Sequence, residues 1–263
     1  MTPLYFVGVP DWRSAVLAAL FALPWLYLLA RGRLRHWPLW AGLALAAVLF
    51  PFAIAWVQVP LQGLLNQFWL SLIGIDAIKR FLLLVSLPSL VAASLVQEAV
   101  KLLGAVLALR LLGERHDARA GVAAGAAAGA GLGGYEAFWV FNTIFAAGWT
   151  WGSVQLGGAP ALVGFIERFF AVPFHIGSGA ISGYGYASRC TGRCFALAVA
   201  LHTVVNLGVI LMQTGVLNAL TVEAWVAAGA AVTVAIAFWL YRLTLHSSPM
   251  TRNSLGAGMG VAG

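Results

Sequence analysis

Seven apolar stretches, each long enough to cross a lipid bilayer, constrain this chain more than any other feature. They run roughly over 14–30, 37–57, 81–110, 120–147, 161–187, 194–214 and 221–242. A crossing takes about 20 mostly apolar residues. Lipid offers no water to satisfy backbone N–H and C=O groups, so the chain must satisfy them internally. No strand pattern is visible. The expected fold is therefore an all-α polytopic transmembrane helical bundle of about seven spans, forming a single domain over 1–246. Composition agrees: 62% of residues are hydrophobic and 9% charged, against about 25% charged in a soluble domain. The stretch Ser14 to Ala30 runs straight into Arg31-Gly32-Arg33 with no cleavage site, so it reads as a retained helix. The segment 247–263, ending SLGAGMGVAG, reads as a disordered tail.

The formal charge of +7 is spread over short loops and calls for no nucleic-acid partner. Ten basic residues fall on one face of a seven-span arrangement: Arg31, Arg33, Arg35, Arg110, Arg115, Arg119, Arg189, Arg193, Arg242 and Arg252. Only Arg13, Lys79 and Arg80 fall on the other. The positive-inside rule then puts the N-terminus outside and the C-terminus in the cytoplasm, as for a protein of a prokaryotic inner membrane. Lys79 and Arg80 are discordant. Leu61, Leu64, Leu65, Phe68, Leu72 and Ile75 repeat at helical spacing, so the 58–80 connection reads as a surface helix. Gly121, Gly125 and Gly129 recur every four residues, a pattern that lets two helix backbones approach closely. Cys190 and Cys194 imply no disulfide framework. Structural thiols and a lipidation site both remain open for them.

Against this apolar background four ionisable groups lie near the centres of four different spans: Glu98, Glu136, His175 and His202. A charged group at a helix centre costs at least about 2.5–3.5 kcal/mol on the insertion scale, so such residues mark function more often than accident. Lys101 follows Glu98 by one turn, Asn206 follows His202 by one turn, and Arg168 precedes His175 by two. This set suits hydrolysis. Cleavage of a peptide bond needs a base, a donor for the developing oxyanion and an acid for the leaving amine. Glu136, His175 and His202 are also a zinc-capable set, with one position left for water. The H-E-x-x-H helix motif is absent.

Each group also has a plain structural reading. Glu98 with Lys101 can be a neutralised pair that locks helices, and Glu167 with Arg168 a pair nearer the outer boundary. His202 alone can be a structural hydrogen-bonding residue. Ser178 and Ser182 share the His175 face, so a serine nucleophile is a minor alternative. His36, His116 and His246 fall in loops or at ends and read as solvated.

In order and spacing the residues resemble those of the CAAX-prenyl-protease-like intramembrane proteases, including the PrsW branch. Gln97-Glu98-Ala99-Val100-Lys101 resembles their E-E-x-x-K/R motif. Gly131-Leu132-Gly133-Gly134-Tyr135-Glu136-Ala137 resembles the second motif, Glu167 through His175 the third, and His202-Thr203-Val204-Val205-Asn206 the fourth. The second and third look closest to the YhfC-like branch, and the likeness covers roughly 95–210. It implies an intramembrane peptidase acting on a membrane-embedded or lipid-modified substrate. Glu98 would activate water, His175 and His202 would assist at the water or oxyanion, Asn206 would donate, and Glu136 would be a second carboxylate. Two residues depart from the pattern: Gln97 stands for the first Glu of the pair, and Ala137 for the Asn after the second-motif Glu. The rival expectations are a proton- or cation-coupled transporter and a catalytically silent scaffold of the same family.

The ten-to-three asymmetry of basic residues makes the orientation testable. Cysteine placed at Ser153 should react with an impermeant thiol reagent added outside intact cells, and cysteine at Ala118 should not. The opposite labelling pattern inverts the topology.

Overall fold

The computed structural model describes residues 8–246; the predicted tail over 247–263 lies outside the described residues. Seven long helices match the seven apolar stretches. In chain order the helices are α1 (Trp12–Ala30), α2 (Trp37–Ala53), α3 (Val59–Arg80), α4 (Leu82–Leu112), α5 (Ala118–Ala146), α6 (Trp151–Gly157), α7 (Val163–Ala187), α8 (Thr191–Gln213) and α9 (Ala219–His246). No strand occurs among the described residues. Six helical stretches are long and apolar enough to cross a bilayer. The protein is thus an all-α polytopic bundle of the kind found in membranes.

The long helix outside those six is α5, and the reason is physical. Its glycines and Glu136 lower its mean hydropathy, while its position shields it from lipid. Every residue from Ala120 to Gly133 is buried. Small residues let the neighbouring backbones close in. A Cβ built at Gly125 would lie 2.0 Å from the Gly179 carbonyl oxygen of α7, and one at Gly129 would lie 2.2 Å from that of His175. Further along, a Cβ at Gly121 would meet the Gly183 oxygen at 2.6 Å. On the other side, Gly131 abuts the Leu43 carbonyl of α2 at 2.0 Å by the same measure. The glycine spacing read in the sequence therefore serves the α5–α7 contact.

Polar links tie the helix ends. The Asp11 carboxylate caps α1 by accepting from the Arg13 N–H at 2.8 Å, and the Asp11 N–H donates to Asn142 Oδ1 at 3.0 Å. At the opposite end Arg33 bridges Glu114 and Asp117, joining two of the Arg-bearing loops. Asp117 also caps α5, accepting from Arg119 N–H at 2.8 Å. Two of the basic loops grouped by the charge pattern, 31–36 and 113–117, are thus neighbours in space.

The 58–80 connection is helical, as its periodicity predicts, and none of the residues of α3 is buried. It does not break away from α2, however. Pro51 removes one donor from α2, and a π-helical turn over Ile54–Gln58 carries the chain straight into α3. The helical path breaks only at Gly74, with φ 73°. Against α4, Gln62 Nε2 donates to the Ser89 carbonyl at 3.2 Å and Gln97 Nε2 to Gln58 Oε1 at 3.1 Å.

The close α5–α7 contact predicts opposite outcomes for two alanines on one helix. Gly125→Ala forces backbone apart and should cost about 1–3 kcal/mol or more. Gly134→Ala meets nothing within 4 Å and should be neutral or stabilising by up to about 1 kcal/mol through helix propensity. Thermal unfolding in detergent micelles measures both. A Gly125→Ala protein as stable as the parent contradicts this packing.

Candidate active site

Helical spacing puts each polar residue on an inward face. Glu98 and Lys101 are one turn apart on α4, His175 and Ser178 one turn apart on α7, and His202 and Asn206 one turn apart on α8. Glu136 comes from α5. The glycine contacts bring these helices close enough for the side chains to meet. A Cβ at Gly133 would lie 2.9 Å from His175 Cβ, so this glycine leaves the space that the histidine fills beside Glu136.

Lys101 is the centre of the cluster. Its Nζ lies 2.5 Å from Glu98 Oε1, 2.6 Å from Ser178 Oγ and 3.3 Å from His175 Nδ1. Both Lys101 and Glu98 have no exposure at all, so the lysine does not snorkel to an interface. Glu98 Oε1 also faces His202 Nδ1 at 2.8 Å. On the far side of His175, Nε2 lies 2.9 Å from Glu136 Oε2. Arg168 meets the same Glu136 oxygen at 2.9 Å and also pairs with Glu167. One connected chain of ionisable groups therefore runs from His202 and Glu98 through Lys101, His175, Glu136 and Arg168 to Glu167. The histidine rings stand edge-on with centroids 5.2 Å apart. Phe174, which is 1% exposed, packs edge-on against both rings, at 5.5 and 5.1 Å. That apolar wall keeps bulk water from the histidines and strengthens every electrostatic interaction beside it.

These groups surround a cavity of about 60 Å³, enough for a small number of waters. Gln97, Glu136, Arg168, His175, His202 and Asn206 supply polar lining. Gln97 Oε1 and Arg168 Nε are buried with no hydrogen-bond partner among the described residues, as is Glu98 Oε2. Unsatisfied buried groups of this kind are costly to leave without a ligand or water.

All four groups singled out by depth, Glu98, Glu136, His175 and His202, belong to this one cluster. Asn206, Gln97 and Arg168 line the cavity, and Lys101 holds the cluster together. One placement differs from expectation. Glu98 does not line the cavity; His202, its hydrogen-bond partner, does. Sequence reasoning missed two participants. Gln58 fixes the Gln97 amide from the π-helical turn. Glu223 of α9 is 8% exposed, interacts electrostatically with Glu167 and Arg168, and its Oε2 has no hydrogen-bond partner among the described residues. A lone carboxylate three residues into the last apolar stretch was the available signal for Glu223.

For zinc, the donor set is already committed. Glu136 Oε2 is shared by Arg168 and His175, and His175 Nδ1 faces an ammonium. A zinc ion held by Glu136, His175 and His202 would have to displace these contacts. Among the described residues no group of three or more His, Cys, Asp or Glu side chains is arranged to hold a metal ion. The site as built does not fit the ion without rearrangement.

Comparison with known proteins returns no matching family model, no matching curated protein and no matching solved structure.

Proposed function

We propose that this chain hydrolyses a peptide bond inside the membrane, in a membrane-protein or lipid-modified peptide substrate. One observation carries the reading: two carboxylates, two imidazoles, two primary amides and a guanidinium from four helices converge on one small cavity, with the buried Glu98–Lys101 pair behind it. Hydrolysis would use a carboxylate-backed histidine to activate water. Asn206 and Arg168 would serve as donors to the oxyanion, where fixed dipoles and charges in a dry pocket act most strongly. The rest of the wall includes Ala171, Phe174, Val205, Val209 and Val226, which suits apolar substrate residues. The motif resemblance to the CAAX-protease-like family supports the same class, and the charge pattern supports a cytoplasmic membrane with the N-terminus outside.

A transporter needs a polar route that continues to both faces. Here the most exposed member of the ion network is Glu167, whose side chain is 34% exposed, followed by its neighbour Glu136 at 19%. Beyond His175 in the other direction, α5 and α7 meet backbone to backbone at Gly129, Gly125 and Gly121. That favours an enzyme pocket with one closed end. A silent scaffold, suggested by Gln97, predicts no turnover by any route.

Quenched fluorescent transmembrane peptides, reconstituted with the purified protein, test the reading. Glu136→Ala, His175→Ala and His202→Ala should each lower kcat by at least about 10²-fold, the usual worth of a general acid or base. Undiminished cleavage in all three sinks the site, and no cleavage by the parent of any peptide sinks the activity. We propose the metal-free form. It expects unchanged rates and near-zero bound metal after chelator washing, whereas loss restored by zinc would replace it with the metal form.

A further inference from the structure

We infer that Lys101 and Glu98 hold the two histidines in opposite tautomers, leaving His202 Nε2 as the imidazole lone pair that faces the cavity and takes the proton from water. The tautomers follow from donor and acceptor counting alone; the catalytic part rests on the hydrolase reading.

An ammonium has three N–H donors and no acceptor. Lys101 has three polar neighbours within reach: Glu98 Oε1 at 2.5 Å, Ser178 Oγ at 2.6 Å and His175 Nδ1 at 3.3 Å. Each receives one donor. His175 Nδ1 therefore presents its lone pair to Lys101, and the ring proton sits on Nε2, where it donates to Glu136 Oε2 at 2.9 Å. Ser178 accepts from Lys101 and passes its own hydrogen to the His175 carbonyl at 3.2 Å. Its oxygen is thereby used as a positioning contact and is not poised as a nucleophile.

His202 is set the other way round. A carboxylate only accepts, so the 2.8 Å contact to Glu98 Oε1 places the ring proton on Nδ1. The opposite nitrogen, Nε2, has no hydrogen-bond partner among the described residues, and the ring lines the cavity. Glu98 thus acts from behind the ring, as the orienting carboxylate does in a Ser-His-Asp triad. Lys101 is a positioning residue twice over. It holds Glu98 Oε1 where His202 needs it, and it keeps His175 from offering a lone pair to the cavity.

The reaction balances with one water. A water proton moves to His202 Nε2 as the water oxygen bonds to the carbonyl carbon. The carbonyl π pair moves to oxygen, within reach of the Asn206 amide one turn along α8. The oxyanion pair then re-forms the C=O bond as the C–N bond breaks, and the Nε2 proton goes to the leaving amine, giving a carboxylic acid and an amine. The Nδ1 proton stays on the ring, donated to Glu98 throughout, so the ring ends in its starting tautomer.

Nitrogen NMR of protein labelled with ¹⁵N in its histidines, in lipid at neutral pH, reads this directly. Assignment uses His175→Gln and His202→Gln. The expected spectrum shows hydrogen on Nδ1 and none on Nε2 of His202, with the reverse at His175. The same tautomer at both rings, or the reverse at either, overturns the assignment. Lys101→Met should release His175 into a mixture of tautomers while His202 keeps its own; an unchanged His175 removes Lys101 from the role. If that variant fails to fold, the parent spectrum still decides. No substrate enters these spectra, so a protein that cleaves nothing loses the hydrolase reading with the tautomers untouched. Expected tautomers together with full cleavage by His202→Ala would remove His202 as the base alone.

Discussion

A lysine ammonium with no exposure lies where α4 meets α7, and its Nζ contacts reach Glu98, Ser178 and His175. Moving a single ion of this size into such a place costs several kcal/mol even after relaxation. Lys101 is tolerated because one carboxylate neutralises it and all three of its hydrogens have acceptors. The same contacts order everything around it. Glu98 is pinned, and through it His202; His175 is fixed, and through it Glu136. Removing the lysine would leave Glu98 charged and half-satisfied, and His175 would lose the contact that fixes its orientation.

The network exists only because the helix backbones are close. Lysine and glutamate chains are long, but histidine is short, and the 2.9 Å contact between His175 and Glu136 requires α5 and α7 nearly in backbone contact. Glycines at 125, 129 and 133 on one helix and at 179 on the other supply that approach. Packing in membranes gains little from the hydrophobic effect between helices, so close backbone approach and buried polar contacts carry the association. Here both act on the same pair of helices, and the site sits on a part of the bundle that has little freedom to move. Arg168 then joins this rigid centre to Glu167 and the open side, which gives the pocket a direction.

The helices themselves were legible, because about 20 apolar residues with no strand alternation leave few alternatives. The small-residue face at Gly121, Gly125 and Gly129 was also legible, since a four-residue repeat has a direct steric meaning. Common depth brought Glu98, Glu136, His175 and His202 into one set. What stayed hidden was rotation about each helix axis. Depth comes from counting residues, but facing depends on neighbours. Glu98 was expected to touch water, yet it faces His202 and stands behind it. Hydropathy likewise undervalued α5, because the glycines that let it lie buried among its neighbours also lower its mean hydropathy. Glu223 and Gln58 escaped notice for the same reason: each matters through a partner far away in sequence.

A double-mutant cycle at Glu98 and Lys101 tests the central claim, that one buried ion pair organises the site. Unfolding free energies of Glu98→Gln, Lys101→Met and the double variant would be measured in the same micelles. Each single change should cost about 3–5 kcal/mol, because it strands a buried charge or its partners. The double change should cost clearly less than the sum, with a coupling of about 1–3 kcal/mol. Strictly additive costs, with each single variant near parental stability, would mean that the two groups do not depend on one another and that the site is organised by something else.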